Sequence, residues 1–218
     1  MRNGFLFAAA LTILGSGAEN VNYDTVRQGH LPPGWSSPSD REWGVRSDKT
    51  APSRPNVLQG GSGAAGESEP PLAVFDKVVC RDADLSVKFR IGAGQSGNPR
   101  GNAAGIVWRY RDPGNYYLLS LSADDRNIVL QRVQNGVASV IPADGGKPGA
   151  VGVAEDIRPG QWHVVKVSFR GPKVQVFFGN RSLFTAQDSG ILTAGKTGLW
   201  AKGADGAAFD DFRIDKKG

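Results

Sequence analysis

Asp84-Leu85-Ser86-Val87-Lys88-Phe89-Arg90-Ile91 decides the fold. Leu85, Val87, Phe89 and Ile91 alternate with Ser86, Lys88 and Arg90, and in an extended chain such alternation sends one set to a core and the other to water. A strand with one buried face has to pair with others of its kind. Outward from it, residues 105–110, 115–122 and 127–133 read as three more strands, joined by Arg111-Asp112-Pro113-Gly114 and Ala123-Asp124-Asp125-Arg126. Both connectors are short and rich in turn formers, which predicts an antiparallel meander. Asn135-Gly136 tolerates the positive φ of a hairpin turn and leads to a strand at 137–141. Residues 162–169 and 173–178, separated by Gly171-Pro172, and residues 199–201 and 207–214 complete the set. Alternation in the last places Phe209, Asp211 and Arg213 on one face and Ala208, Asp210, Phe212 and Ile214 on the other.

The 30 glycines and 13 prolines among 218 residues punctuate short apolar runs, and no segment carries a helical period. The chain is therefore expected to be all-β, a sandwich of two antiparallel sheets in one domain spanning 19–218. Residues 49–71 shift to Pro, Ser, Gly and Ala, with Val57-Leu58 between them, and predict an irregular loop with one short strand.

Met1, Arg2 and Asn3 precede an apolar run over 5–14 and the small residues Ser16, Gly17 and Ala18. This is the pattern of a secretory signal over 1–18, with cleavage expected after Ala18 and a periplasmic or secreted destination. The run is shorter than the roughly 20 residues that cross a bilayer, so no membrane span is expected. The formal charge of +5 is spread along the chain without Lys/Arg clusters, which argues against nucleic acid as a partner. Cys80 is the single cysteine, so no internal disulfide forms; within Val78-Val79-Cys80-Arg81 it reads as a buried thiol.

Three stretches carry a family likeness. Ala104-Gly105-Ile106-Val107-Trp108-Arg109-Tyr110 runs through Arg111-Asp112-Pro113-Gly114 into Asn115-Tyr116-Tyr117; Pro159-Gly160-Gln161-Trp162-His163 opens an alternating strand; Gly198-Leu199-Trp200 precedes Phe209-Asp210-Asp211-Phe212-Arg213-Ile214. Together they resemble the 3-keto-disaccharide hydrolase-like family, formerly a domain of unknown function, within the concanavalin A-like lectin/glucanase superfamily. The resemblance implies a jelly-roll sandwich that meets a saccharide or glycoconjugate on one sheet face. Trp108 and Tyr110 alternate with Arg109 and are expected in the core, as is the large side chain of Trp162. Arg109, Tyr116, Gln131 and Arg132 are the candidate carbohydrate contacts, expected to share a solvated face, although both faces of 128–133 carry apolar residues and the alternation leaves that facing open.

Glycoside cleavage needs two carboxyl groups about 5–10 Å apart. The Glu-x-Asp-x-(x)-Glu run of the laminarinase-like enzymes in glycoside hydrolase family 16 is absent, Asp82 and Asp84 read as residues of a strand start, and Asp112, Asp124, Asp125, Glu155, Asp156 and Asp188 read as turn formers. No catalytic residue is assigned. His163 is expected on a wet strand face and His30 in an exposed loop, without the spacing of a zinc site. No cofactor is required, but Asp210 resembles the final-strand carboxylate through which relatives hold a structural Ca²⁺. The leading expectation is an exported carbohydrate-binding module. Its alternatives are a hydrolase or lyase acting on 3-keto-disaccharides and a non-catalytic envelope domain with a structural or interaction role.

Overall fold

The computed structural model describes residues 17–38, 42–62, 72–93, 102–147, 149–203 and 206–217. Of the signal segment expected over 1–18, residues 1–16 lie outside the described residues, as do 63–71 of the expected loop. All regular structure described is β-strand. In chain order the strands are β1 (Ala18–Val21), β2 (Trp35–Ser36), β3 (Glu42–Ser47), β4 (Asn56–Ser62), β5 (Leu72–Cys80), β6 (Asp82–Ile91), β7 (Ala103–Asp112) and β8 (Asn115–Ser122). They continue as β9 (Asn127–Gln134), β10 (Val137–Val140), β11 (Val153–Ala154), β12 (His163–Arg170), β13 (Lys173–Phe178), β14 (Arg181–Gln187), β15 (Gly195–Lys202) and β16 (Ala207–Lys217).

They form two antiparallel sheets. Sheet A has the order β14-β13-β12-β6-β16-β4-β3, with β1 also on β16; sheet B has the order β10-β9-β8-β7-β15-β5-β2, with β11 also on β9. The predicted meander is β7-β8-β9-β10, and the alternating stretch that decided the fold is β6, central in sheet A between β12 and β16. Its Leu85, Val87, Phe89 and Ile91 are buried with Val165, Val167 and Phe169 of β12 against Phe75, Ile106, Trp108, Tyr117 and Leu119 of sheet B. Each such side chain contributes about 1.5–3 kcal/mol through burial. Cys80 belongs to the same core, and burial pushes its thiol up to about 11.

Two bulges break the alternation. The β16 ladder shifts register between Asp210 and Arg213, with Asp211 at φ 49°. The extra residue turns Phe212 to the inside with Phe209 and Ile214, so the expected separation of Phe209 from Phe212 and Ile214 does not hold. In β7 the register with β8 shifts between Trp108 and Asp112, with Arg109 at φ 49°. Trp108 stays in the core, stacked on Tyr117 at 5.4 Å, but Tyr110 emerges on the outer face of sheet B beside Tyr116, their rings 6.0 Å apart. Gly195 lies against this bulge; a Cβ there would stand 2.5 Å from the Arg109 carbonyl carbon.

The bulge turns Arg109 inward, where it is 1% exposed, so it is no part of a solvated face. Its Nε donates to Arg81 O (3.0 Å), Nη1 to Ile191 O (2.8 Å), and Nη2 to Gly171 O (2.7 Å) and Asp82 Oδ1 (3.3 Å). The guanidinium lies 5.9 Å from the Tyr117 ring centre and 5.5 Å from that of Phe169. One side chain thus ties turns of sheet A to the β7–β8 ladder of sheet B.

Trp162 and His163 also differ from expectation. Trp162 is half-exposed over Ala51, Val57 and Ala208, stacked by Arg90 at 5.3 Å and donating from its indole to Thr50 Oγ1 at 3.2 Å. His163 takes the core-side position instead, its ring 5.6 Å from Phe89 and 5.3 Å from Phe178. Period two counted back from Phe169, Val167 and Val165 puts His163 on their inward side and Trp162 on the outer one.

Removing a hydrogen-bonded buried charge strands its partners, so Arg109→Ala is expected to lower unfolding stability by about 3–5 kcal/mol. Arg109→Lys should recover little, because an ammonium lacks the planar fork that reaches four acceptors. Urea denaturation of both variants is the check; a loss under about 1 kcal/mol, the worth of an ordinary hydrogen bond, would contradict this role.

Candidate functional site

On the outer face of sheet B the pairing lines up three rows across β15, β7, β8 and β9. They are Lys202-Ala103-Ser122-Asn127, Trp200-Gly105-Ser120-Val129 and Gly198-Val107-Leu118-Gln131. Small residues on β7 leave a trough with Trp200 as one wall, a groove of ≈ 770 Å³ whose lining includes Ser120, Ser122, Asp125, Gln131, Trp200 and Lys202. Gly105 is required beneath the tryptophan: a Cβ there would meet Leu118 Cδ1 at 2.8 Å and the Trp200 ring at 3.2 Å.

Part of the groove's polar surface is committed to the protein. Ser122 Oγ donates to Asp125 Oδ2 (2.8 Å) and accepts from Asp125 N (3.1 Å), and Asn127 Nδ2 donates to Val151 O (3.3 Å). Other groups are open. Among the described residues the Trp200 indole N–H, the Gln131 amide and the Lys202 ammonium have no hydrogen-bond or ion-pair partner. The site therefore combines a half-exposed aromatic face with free donors and an amide oxygen, set on rigid strands. Beyond Trp200 the same sheet face becomes apolar, with Leu72, Val74, Val107, Tyr110, Tyr116, Leu118 and Val133 packed together.

The four expected contact residues are not brought together. Gln131 alone opens on the groove. Tyr116 shares the outer face but is buried in the apolar strip, and burial pushes its hydroxyl up to about 12. Arg109 is inside the sandwich. Arg132, one residue beyond Gln131, points to the opposite side and forms an ion pair with Asp188. Trp200 is the residue that reading the sequence passed over; its signal was the alternation Gly198-Leu199-Trp200 together with a glycine at 105, which mark a large side chain beside bare backbone.

Asp188 organises the end of the sandwich beside Arg109. It accepts from Tyr117 Oη (2.5 Å) and Gly190 N (2.8 Å) as well as from Arg132, and Tyr117 Oη in turn accepts from Ile191 N (3.1 Å). Burial works to raise the Asp188 carboxyl, but the bonds from Tyr117, Gly190 and Arg132 outweigh it and hold it below its ordinary value. Burial and the same carboxylate push Tyr117 up to about 12.

Asp210, the residue expected to hold a structural Ca²⁺, has both carboxylate oxygens engaged by protein donors. It is fully buried, Oδ2 accepts from Ser53 N (2.7 Å) and Oδ1 from Ser53 Oγ (2.9 Å) and Asp211 N (2.8 Å). Asp210 fastens the loop before β4 to the β16 bulge, and burial raises its pKa above the ordinary value.

No family model matches the sequence, and no curated protein does either. Among solved structures, the carbohydrate-binding module CBM66 from Bacillus subtilis superposes with a TM-score of 0.61 at 20% identity, over 83% of this chain and 94% of that one. A Bacillus subtilis protein of unknown function with a galectin-like fold gives 0.48 at 13% identity, over 84% and 89%. A galectin from Caenorhabditis elegans, LEC-6, gives 0.42 at 11% identity, over 62% and 83%. The first of these shows the fold: the chain is a sandwich of two antiparallel β-sheets like that of the carbohydrate-binding module.

The depressed Asp188 pKa has a defined consequence for stability. A carboxyl held below its unfolded value, about 3.9, stabilises the fold above that pH, and this contribution disappears as pH falls through the folded value. Asp188→Asn is therefore expected to be less stable than the parent at neutral pH and to show a shallower fall below about pH 4. Thermal unfolding of both proteins across the acid range measures this; parallel curves would contradict it.

Proposed function

We propose that this chain is an exported carbohydrate-binding module that takes neutral saccharide in the groove beside Trp200. The half-exposed indole over Gly105 carries this reading. A sugar ring offers an apolar C–H face to an aromatic plane and a rim of hydroxyls to polar groups. Gln131, Ser120, Lys202 and the Trp200 N–H surround that plane with such groups. The fold match to a carbohydrate-binding module supports the reading. The N-terminal pattern of a charge, an apolar run and small residues supports export to the periplasm or beyond the cell.

Cleavage of 3-keto-disaccharides, as the sequence likeness implies, is the finer alternative. Hydrolysis asks for two carboxyls on opposite sides of the scissile bond. Asp124 and Asp125, the carboxylates lining the groove, are consecutive residues of one turn, and Asp125 is held by Ser122. That arrangement favours binding over cleavage.

Calorimetric titration with neutral oligosaccharides tests the proposal. Trp200→Ala is expected to weaken binding about tenfold, equivalent to about 1.4 kcal/mol, and Gln131→Ala by a smaller factor, with unfolding midpoints close to the parent's. Undiminished binding by the Trp200 variant would remove the basis of this reading. Product release from a 3-keto-glucoside would move it to the enzymatic alternative.

A further inference from the structure

The other outer face of the molecule carries a second groove of different chemistry. Across sheet A the pairing aligns Asn20, Arg213, Ser86, Lys166 and Phe177 in one row. Ser86 is the short residue in the middle, with a cation on the strand to either side. Arg213 and Lys166 are two strand spacings apart, about 10 Å between backbones. Above Ser86 lies a groove of ≈ 420 Å³ whose lining includes Asn20, Asn22, Lys88, Val164, Asp211 and Arg213.

The charges here are unevenly satisfied. Lys88 and Asp211 neutralise each other at 2.7 Å. Lys166 has Asp84 at 3.7 Å, but that carboxylate is bonded by Arg170 at 2.9 Å and also has Lys217 at 3.8 Å. Arg213 is exposed and has no ion pair among the described residues. The groove thus holds a free guanidinium, the Ser86 hydroxyl and two asparagine amides, while the Lys166 ammonium, 5.3 Å from the Phe177 ring centre, flanks the row outside the lining. Its lining contains no aromatic residue, so a neutral sugar finds no stacking plane there.

We infer that this groove is a second glycan site, which takes the carboxylate of a uronic acid in an acidic polysaccharide. A guanidinium fork matches the two oxygens of a carboxylate, and a hydroxyl and amides can bind the sugar hydroxyls around it. The saccharide character of the ligand rests on the reading of the Trp200 groove; the preference for an anion does not. The two sites lie on opposite faces of the sandwich, so one molecule could hold a neutral and an acidic chain together.

The test titrates the protein with polygalacturonate, dextran sulfate and a neutral oligosaccharide, at low and at physiological salt. Polygalacturonate binding is expected to weaken about tenfold in Arg213→Gln combined with Lys166→Gln, to weaken with salt, and to be unchanged by Trp200→Ala. Both substituted cations are at least partly exposed, and circular dichroism confirms that the variant is folded. No binding of polygalacturonate, or a loss caused by Trp200→Ala and not by the cation variant, would overturn the inference. Equal, equally salt-sensitive binding of dextran sulfate would reduce it to general polyanion attraction and overturn the carboxylate assignment. Absence of neutral-sugar binding by the parent protein, with polygalacturonate binding still dependent on Arg213, would sink the Trp200 reading and leave this one standing.

Discussion

A guanidinium inside a β-sandwich is tolerable only if its lost hydration is replaced by hydrogen bonds of good geometry. Arg109 meets that condition with acceptors from three separate connections: Arg81 and Asp82 at the β5–β6 corner, Gly171 between β12 and β13, and Ile191 before β15. These segments are far apart in sequence and come from both sheets. The Tyr117, Asp188 and Arg132 network lies next to it, and Asp188 N also donates to Pro172 O at 2.9 Å, tying the stretch before β15 to the β12–β13 turn. One end of the sandwich is therefore closed by polar interactions, while its middle is closed by packing.

The same residue illustrates how the strands manage their facing. Arg109 and Asp211 are non-glycine residues at φ 49°, each within a register shift of a central strand. Each bulge re-aims the residues after it, and the one in β7 also turns the Arg109 side chain inward. At β7 this moves Tyr110 to the outer face; at β16 it brings Phe212 inside and leaves Asp210 to hold Ser53. The strain of a left-handed L-residue is compensated locally by the bonds that its side chain or its neighbour makes.

Between these fixed points the two outer faces differ. Sheet B has bare backbone at Gly105 and a tryptophan beside it, so its groove has an aromatic wall and little net charge. Sheet A presents alternating serine, lysine and arginine positions from β6, β12 and β16, so its groove is shaped by charge. The core is shared, and each sheet's outward-facing set of alternate residues is free to meet a different ligand.

The sequence by itself determined the all-β class, the β7-β8-β9-β10 meander, the buried and wet faces of the strand over 84–91 and the burial of Cys80. Those features follow from period-two alternation and turn chemistry, which act between near neighbours in the chain. It named Gln131 as a candidate contact but left the facing of its strand open, because both faces of 128–133 carry apolar residues. Only the tertiary structure decided that Arg109 is a core pin, that Tyr116 is covered, that Arg132 faces away from Gln131, that Asp210 is held by Ser53 and the Asp211 amide, and that Trp200 is the half-exposed aromatic beside Gly105. Alternation predicts facing only while the ladder is regular, and a bulge of one residue inverts it. The residues that decide whether a side chain is buried or open lie on strands distant in sequence, as Gly105 does from Trp200, and folding alone brings them together.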